Sequence, residues 1–480
     1  MSALPLHSAT PLDLVRSELE ATLKLQRAAY FARPVPSLDE RKADLLKLKT
    51  FLRENKQGII DAINADYGNR STHETLLTEI VPAMGEVDHA LKHLKKWMKP
   101  QRRHVDLMNY FGARNRVIPQ PLGVVGCIVP WNFPVNLTFA PLVSIFSAGN
   151  RAMVKMSENS RHLCQFFIEK IPAHFPKDKL AFFDETGGVG IEFSKLKFDH
   201  LLFTGSGATG RAVMTAAAQN LCPVTLELGG KAPAIVCDDF PLRTAVERLM
   251  FVKCLNAGQI CTTIDYLFLP KGKTAAFTAM AKEIVEARYP SITSADLTSI
   301  IDERSFSRLT AALEDAQEKG ASLVQLIPGK PWDAATRKIA PHIVLNAPED
   351  SILRQREIFG PILPIIEYTQ LEEAIQYIND RPRPLAIYPF SNDNTTIQTL
   401  LDRVMSGGVS VNDALFHVGQ TDLPFGGVGE SGMGHYHGHE GFNTFSKLRP
   451  VFYQAPFSAV KFLWPPYGKF ATKYLNFLSK

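Results

Sequence analysis

A chain of 480 residues is too long for one compact core, and at about 100–200 residues per domain it implies two or three. Its 45% apolar and 21% charged residues are those of a globular protein, and a net charge of +5 over this length makes no case for nucleic acid. No apolar run reaches the length of a membrane span, and the opening MSALPLHSATPLDL is mixed rather than a charged-then-apolar leader, so a cytoplasmic protein is expected, neither exported nor membrane-spanning.

From about Asp13 to Lys99, apolar residues recur at helical spacing among many charges, as in ERKADLLKLKTFLRENKQGIIDAI, and predict a helical opening layer. Between Arg102 and Gln120 the pattern turns to short alternating stretches, and Pro119 and Pro121 punctuate the approach to LGVVGCIVPWNFP. There follow RAMVKM and a helix over 158–172, DHLLF and a helix over 207–219, then PVTLEL and APAIV before a helix over 241–255. Strands alternating with amphipathic helices imply βαβ units and a parallel sheet covered on both faces. A second series starts near Tyr266 with YLFL and continues through helices over 273–288 and 304–319 to SLVQLI, PILPIIEY and GGVSVN. Two α/β sheets in tandem are expected. The tail from Arg449 to Lys480 is aromatic-rich, basic and free of acidic residues. A membrane-surface helix is one reading of it, and packing on a partner subunit or on the body of the protein is the favoured one.

Six cysteines (Cys127, Cys164, Cys222, Cys237, Cys254, Cys261) are scattered without CxxC spacing, which suggests neither a zinc site nor a disulfide framework and fits a reducing compartment. Cys127, in an apolar strand, and Cys254, on a helix, read as buried packing. Cys261 differs: NAGQIC sets it in a Gly-containing turn between a helix and the strand YLFL. A thiol at such a junction can be exposed and activated, because thiolate is the nucleophile, although a buried structural cysteine stays open from the residues alone.

Glu227 in TLELGGK interrupts an apolar strand. Burial raises the pKa of a carboxylate and suits it to act as a base. Glu227 also follows Gly205 by about the twenty residues that separate a dinucleotide fingerprint from its ribose-holding acid. TGSGATG supplies that GxGxxG pattern at Gly205, Gly207 and Gly210, between a strand and a helix, so the two readings compete for Glu227. In PWNFP, Asn132 is either an amide on a rigid turn able to hold an oxyanion or an ordinary turn residue. His435, His437 and His439 alternate without a carboxylate or cysteine cluster, and a surface loop is expected there rather than a metal site.

PWNFP, FTGS, LELGGK, GQIC, EIFGP (Glu357–Pro361) and LPFGG (Leu423–Gly427) occur in this order, and together they resemble the signature series of the aldehyde dehydrogenase superfamily. The resemblance runs from the helical opening to about Val451. The short N-terminus, the stretch NDALFHVGQTDLPFGGVGESGMGHYHG and the aromatic tail resemble its class 3-like branch, with the bacterial coniferyl aldehyde dehydrogenases similar within it.

The resemblance implies an α/β fold with two Rossmann-type domains and a small β bridging and oligomerisation element. It divides the chain into a cofactor domain (1–100 and 121–228), a catalytic domain (229–430), a bridging element (101–120 and 440–456) and a tail (457–480). It implies Cys261 as nucleophile, Asn132 and the Cys261 N–H as oxyanion donors, and Glu227 as the base that activates water for deacylation. Trp131, Lys155, Glu158, Gly188, Gly205, Ser206, Leu228, Glu357 and Phe359 would hold the cofactor, with Met156 a departure inside the KMSE stretch. Glu158 would repel a 2′-phosphate, so NAD is expected over NADP. The reaction implied is oxidation of an aldehyde, aromatic such as coniferaldehyde or medium-chain aliphatic, to the acid. A CoA-acylating variant is disfavoured by the presence of Glu227. A β arm pairing across subunits implies a homo-oligomer, with a dimer favoured. Ala414–Gln420, Asn136 and Tyr266 are candidates for the aldehyde tunnel, and the tail a candidate for its mouth.

Overall fold

The structure is a computed structural model that describes residues 11–480, so the first ten positions of the mixed opening stretch lie outside the described residues. The opening layer is helical, with helices at Pro11–Ala32, Leu38–Glu54, Lys56–Tyr67 and Val81–Trp97. Ser37 starts the second in a capping box: its Oγ accepts from the Glu40 N–H while the Glu40 carboxylate accepts from the Ser37 N–H. Gly68, at φ 82°, ends the third. Just before the fourth, one wide helical turn over Leu76–Ile80 points Glu79 inward, a local irregularity of the kind that often marks a functional region.

The first large sheet runs Gly432–Met433, Val224–Glu227, His200–Thr204, Val124–Ile128, Arg151–Lys155, Leu180–Phe183, all parallel except the first strand. Its strand Val124–Ile128 is buried throughout because both faces are covered. Val125 and Cys127 pack with Phe51, Leu142 and Phe167 on one side, and Val124 and Ile128 with Leu19, Phe193 and Val213 on the other. The second sheet runs Ser322–Gln325, His342–Leu345, Ile362–Tyr368, Tyr266–Pro270, Pro233–Val236, Ala386–Phe390, Gly408–Val409, parallel but for the first. The expected α/β class is therefore the observed one. The helix expected over 158–172 is shorter, Arg161–Lys170, because Ser157 instead closes a turn in which its Oγ accepts from the Asn159 N–H.

A third, antiparallel sheet joins Gln101–Arg103, Arg114–Pro121 and Ser446–Tyr453. Residues 440–444 belong to the helix Gly438–Thr444, and the strand begins at Ser446. That last strand is mostly exposed, and its outer edge has no strand partner among the described residues. The tail folds onto its own chain: Tyr474, on the helix Lys469–Leu478, donates to Asn109 Oδ1 at 2.7 Å. No described helix is long and apolar enough to cross a membrane.

Fully buried Asn150 ties this third sheet to the first. Its Oδ1 accepts from the Gly123 N–H at 2.9 Å, and its Nδ2 donates to the Phe445 carbonyl at 2.7 Å. Losing that side chain leaves two buried backbone groups unpaired. Asn150→Ala should therefore lower the unfolding free energy by about 2–4 kcal/mol in denaturant titration; a change under about 0.5 kcal/mol would contradict the tie.

Candidate active site

The helix Leu242–Cys254 ends where the chain takes an unusual course. Asn256 and Ala257 both sit at φ 50°, and Gly258 follows at φ 69°. Left-handed backbone at two non-glycine residues costs on the order of 1–3 kcal/mol each and persists only where the surroundings impose it. Here the surroundings are a buried set of hydrogen bonds. The Asn256 N–H donates to Glu74 Oε1 at 3.1 Å, and Asn256 Nδ2 donates to the carbonyls of Gln259 (3.1 Å) and Asn132 (3.2 Å). Gln259 Nε2 donates to the carbonyls of Asn256 and Ser299, and its Oε1 accepts from the Ile301 N–H. At Gly258 a side chain has no room, since a Cβ would lie 2.3 Å from the Gly360 carbonyl oxygen. This course delivers Cys261.

The turn PWNFP is bound into the same set. Tyr67 OH donates to the Asn132 carbonyl at 3.1 Å, and Asn132 Nδ2 donates to the Gln259 carbonyl at 3.2 Å. Glu79 Oε2 accepts from the N–H groups of Val135 (2.9 Å) and Asn136 (2.8 Å), while its Oε1 accepts from buried Arg70 at 2.9 Å. The carboxylate thus serves free N–H groups at the start of the helix Asn136–Ala148.

Two cavities meet at Cys261. The first, of about 360 Å³, lies beyond the carboxyl ends of Val124–Ile128, His200–Thr204 and Val224–Glu227, where open parallel sheets bind ligands. It brings together Trp131, Asn132, Gly205, Ser206, Glu227, Leu228, Cys261, Glu357 and Phe359. Phe359, at φ 50°, meets Trp131 edge-on with ring centres 5.6 Å apart. Ser206 caps the helix Gly207–Ala218, its Oγ accepting from the Thr209 N–H. The glycines of TGSGATG divide their work. A Cβ on Gly210 would strike Leu228 at 2.6 Å, so this glycine serves helix-to-sheet packing, whereas one on Gly207 would meet only Arg211 Nη1, at an ordinary 3.8 Å. At Gly229 a Cβ would lie 2.2 Å from Glu357 Oε2, so the glycine pair lets that carboxyl into the cleft. The cleft's position, its aromatic walls and this glycine-lined approach fit a dinucleotide.

Lys155, Glu158 and Gly188 do not line that cleft. Lys155 ends the strand Arg151–Lys155 and pairs with Glu185, whose carboxylate also accepts from the Gly190 N–H at 2.9 Å. Glu158 is exposed and accepts from Ser157 Oγ, and Gly188, at φ 97°, opens the short helix Val189–Ser194. Sequence reasoning missed Glu185, and also Ser305, Arg308 and Arg356, which line the cleft. Arg356 adjoins the EIFGP motif and was in reach; Ser305 and Arg308 lie on a helix whose pattern is that of any amphipathic surface helix.

The second cavity, of about 140 Å³, runs from Cys261 between Phe133, Phe251, Leu415, Phe416 and Phe425. Asn136 borders it as expected, and of Ala414–Gln420 only Leu415, Phe416, Val418 and Gly419 do; Ala414, His417 and Gln420 do not. Tyr266 does not: its side chain is buried in the second sheet against Phe268 and Tyr377, and no residue of the tail lines the cavity. The alternating histidines also part company. His435 is exposed, His439 stacks on Trp97, and His437 is buried in the cavity wall, not on a surface loop. No metal-type cluster exists among the described residues.

Burial governs the charge states. Glu227 is 2% exposed, neither carboxyl oxygen makes a well-formed hydrogen bond, and burial pushes its pKa well above the usual carboxylate range, with the Gly427 N–H only partly offsetting it. The Cys261 thiol is pushed up to about 12, first by desolvation and then by the nearby Glu357 and Glu227 carboxyls. Burial also raises Glu357 to about 8. The expected buried packing of Cys127 and Cys254 is observed.

The chain belongs to the aldehyde dehydrogenase family, whose sequence pattern matches residues 16–451. Such enzymes oxidise aldehydes with NAD(P). A probable coniferyl aldehyde dehydrogenase of Pseudomonas aeruginosa is 48% identical over 454 residues, 94% of either chain. A coniferyl aldehyde dehydrogenase of a Pseudomonas sp. is 42% identical over 473 residues, 98% of this chain and 97% of that one. The substrate-bound structure of Staphylococcus aureus AldH superimposes with a TM-score of 0.90 at 33% identity, covering 96% of this chain and 99% of the other.

With the Cys261 thiol held near 12, its thiolate fraction grows about tenfold per pH unit below that value. Alkylation of Cys261 by iodoacetamide in the cofactor-free protein should climb through pH 7 to 10 without levelling. A plateau below pH 8 would show a thiol already activated.

Proposed function

We propose that this chain is an NAD-dependent dehydrogenase that converts an aromatic aldehyde, of the coniferaldehyde type, to its carboxylic acid. The observation that carries the reading is the position of Cys261, which borders both the polar cleft and the apolar cavity. An aldehyde held in the second would present its carbonyl to the thiol at the edge of the first. The names of the Pseudomonas relatives support the aromatic class. The cavity, of about 140 Å³, is of the size that accommodates a single ring.

In the proposed sequence the Cys261 sulfur attacks the carbonyl carbon: a C–S bond forms, the S–H proton passes to water in the cleft, and the C=O π pair moves onto oxygen. Asn132 Nδ2, drawn from the Gln259 carbonyl, and the Cys261 N–H stabilise the resulting oxyanion. When bound, the cofactor supplies the hydride acceptor that turns this adduct into a thioester. Glu227 then takes a proton from the water that hydrolyses the thioester, and a carboxyl with raised pKa is suited to that exchange near neutral pH. Its presence favours water over CoA as the acyl acceptor.

Gly205, Ser206, Leu228, Glu357, Phe359 and Trp131 would hold the cofactor along the cleft, with Lys155, Glu158 and Gly188 at its adenosine end. Glu158, and Glu185 paired with Lys155, would repel a 2′-phosphate bound beside them, which disfavours NADP. We assign residues 1–100 and 121–228 to the cofactor domain and 229–430 to the catalytic domain. The third sheet serves as bridge, its free edge at Ser446–Tyr453 joining a second subunit in a dimer. Six free thiols suit the cytoplasm.

Native protein should form NADH with coniferaldehyde, without CoA, at higher kcat/KM than with hexanal. Glu227→Gln should keep a stoichiometric burst of NADH while steady turnover falls about 100-fold or more, and Cys261→Ala should lose the burst. A Glu227→Gln enzyme with weakened NAD binding and unimpaired deacylation would return Glu227 to the ribose-holding role. In calorimetry, wild type should bind NAD more tightly than NADP, and Glu158→Gln with Glu185→Gln should tighten NADP by about tenfold per charge removed. Equal affinity of the wild type for both would sink the preference.

A further inference from the structure

Among the polar residues that line the apolar cavity is a pair that the chemistry at Cys261 does not use. Glu86, on the helix Val81–Trp97, and His437 face each other in its wall, with Glu86 Oε1 3.8 Å from His437 Nδ1. Both residues are about 5% exposed, yet 3.8 Å is too long for a hydrogen bond. His437 Nδ1 is left without a partner, and burial is the sole cause that shifts the Glu86 carboxyl, with no hydrogen bond beside it. Buried polar groups normally find partners, so the pair holds hydrogen-bonding capacity in reserve.

His437 is also held where it stands at some cost. Its backbone lies at φ 86°, a region side chains other than glycine's seldom enter. The ring stacks on Phe425 at 5.7 Å between centres and meets Tyr436 edge-on at 4.7 Å. Strain of this kind, fixed by surrounding aromatics, is typical of ligand-holding positions.

We propose that Glu86 and His437 together bind a hydroxyl group on the substrate's ring, selecting hydroxylated aromatic aldehydes over those without a free hydroxyl. The inference rests on the aromatic-aldehyde reading above. An oxygen at about 2.8 Å from each atom fits at the apex over the 3.8 Å gap. Burial pushes the Glu86 carboxyl up to about 8 and the His437 imidazole down to about 4. At neutral pH the pair is then a carboxylic acid, whose O–H can donate, and an uncharged imidazole, whose Nδ1 accepts when the ring proton sits on Nε2. That complement suits a neutral hydroxyl, which gives one hydrogen bond and takes another. A methoxy group in its place can accept but cannot donate, and one of the two groups stays unpaired.

The test uses 4-hydroxycinnamaldehyde and 4-methoxycinnamaldehyde as a matched pair with the full-length enzyme and NAD. In the wild type, kcat/KM should favour the hydroxy compound by about tenfold or more, through KM rather than kcat. Glu86→Met and His437→Phe should each reduce that ratio about tenfold, whereas Glu86→Gln, which keeps a donor and an acceptor, should largely preserve it. Because the ratio is internal to each enzyme, a general loss of activity in a variant does not move it. A wild-type ratio near one, or a ratio unmoved by Glu86→Met and His437→Phe, would overturn the assignment. Turnover of the methoxy compound by the wild type reports separately on aromatic-aldehyde oxidation, so the two readings fail in distinguishable ways.

Discussion

Tyr67, Asn132, Asn256 and Gln259 share one buried set of hydrogen bonds, and the geometry of the site depends on it. It locks two turns from different parts of the chain to each other. One carries Cys261 and the other carries Asn132. The left-handed backbone at Asn256 and Ala257 would not persist in a free loop, so the set carries a strain cost that tertiary structure must offset. Around it, the Arg70–Glu79 ion pair and Glu74 supply further fixed partners from the helical opening layer. Thus the helices at the start of the chain, remote in sequence from the reactive thiol, are what hold its surroundings in place.

With the thiol fixed, the two cavities acquire distinct characters. The cleft side is lined by sheet ends, glycines and carboxyls, and the other side by aromatic and aliphatic side chains. Desolvation, and then the nearby Glu357 and Glu227 carboxyls, favour the protonated thiol at Cys261. A thiol kept protonated in this way is less open to oxidation and alkylation. In the same setting burial raises the Glu227 carboxyl, with the Gly427 N–H only partly offsetting it.

Much of this was legible in the sequence, and the reasons are physical. Alternating β-branched and amphipathic runs encode a covered parallel sheet, and the order of short motifs carried the turns where backbone meets ligand. Two errors arose because side-chain direction is invisible in one sequence. Tyr266 is one residue of a strand buried on both faces, and its ring enters the core. His437 sits two residues from exposed His435 and two from His439, yet its positive φ turns it into the cavity wall. Glu185 was out of reach for another reason: it matters only because the parallel pairing of Arg151–Lys155 with Leu180–Phe183 brings the loop after the latter beside Lys155. The apparent dinucleotide fingerprint had mixed value, since Gly205 reaches the cleft while Gly210 serves packing.

The account turns on a covalent acyl group forming on one sulfur out of six and waiting there for Glu227. Peptide-level mass spectrometry of Glu227→Gln protein, quenched in acid after mixing with NAD and coniferaldehyde, tests this most directly. The account predicts a coniferyl acyl adduct on the peptide that contains Cys261, at near-stoichiometric occupancy, and none on the other cysteines. An unmodified Cys261 alongside NADH production, or an adduct confined to another cysteine, would contradict it.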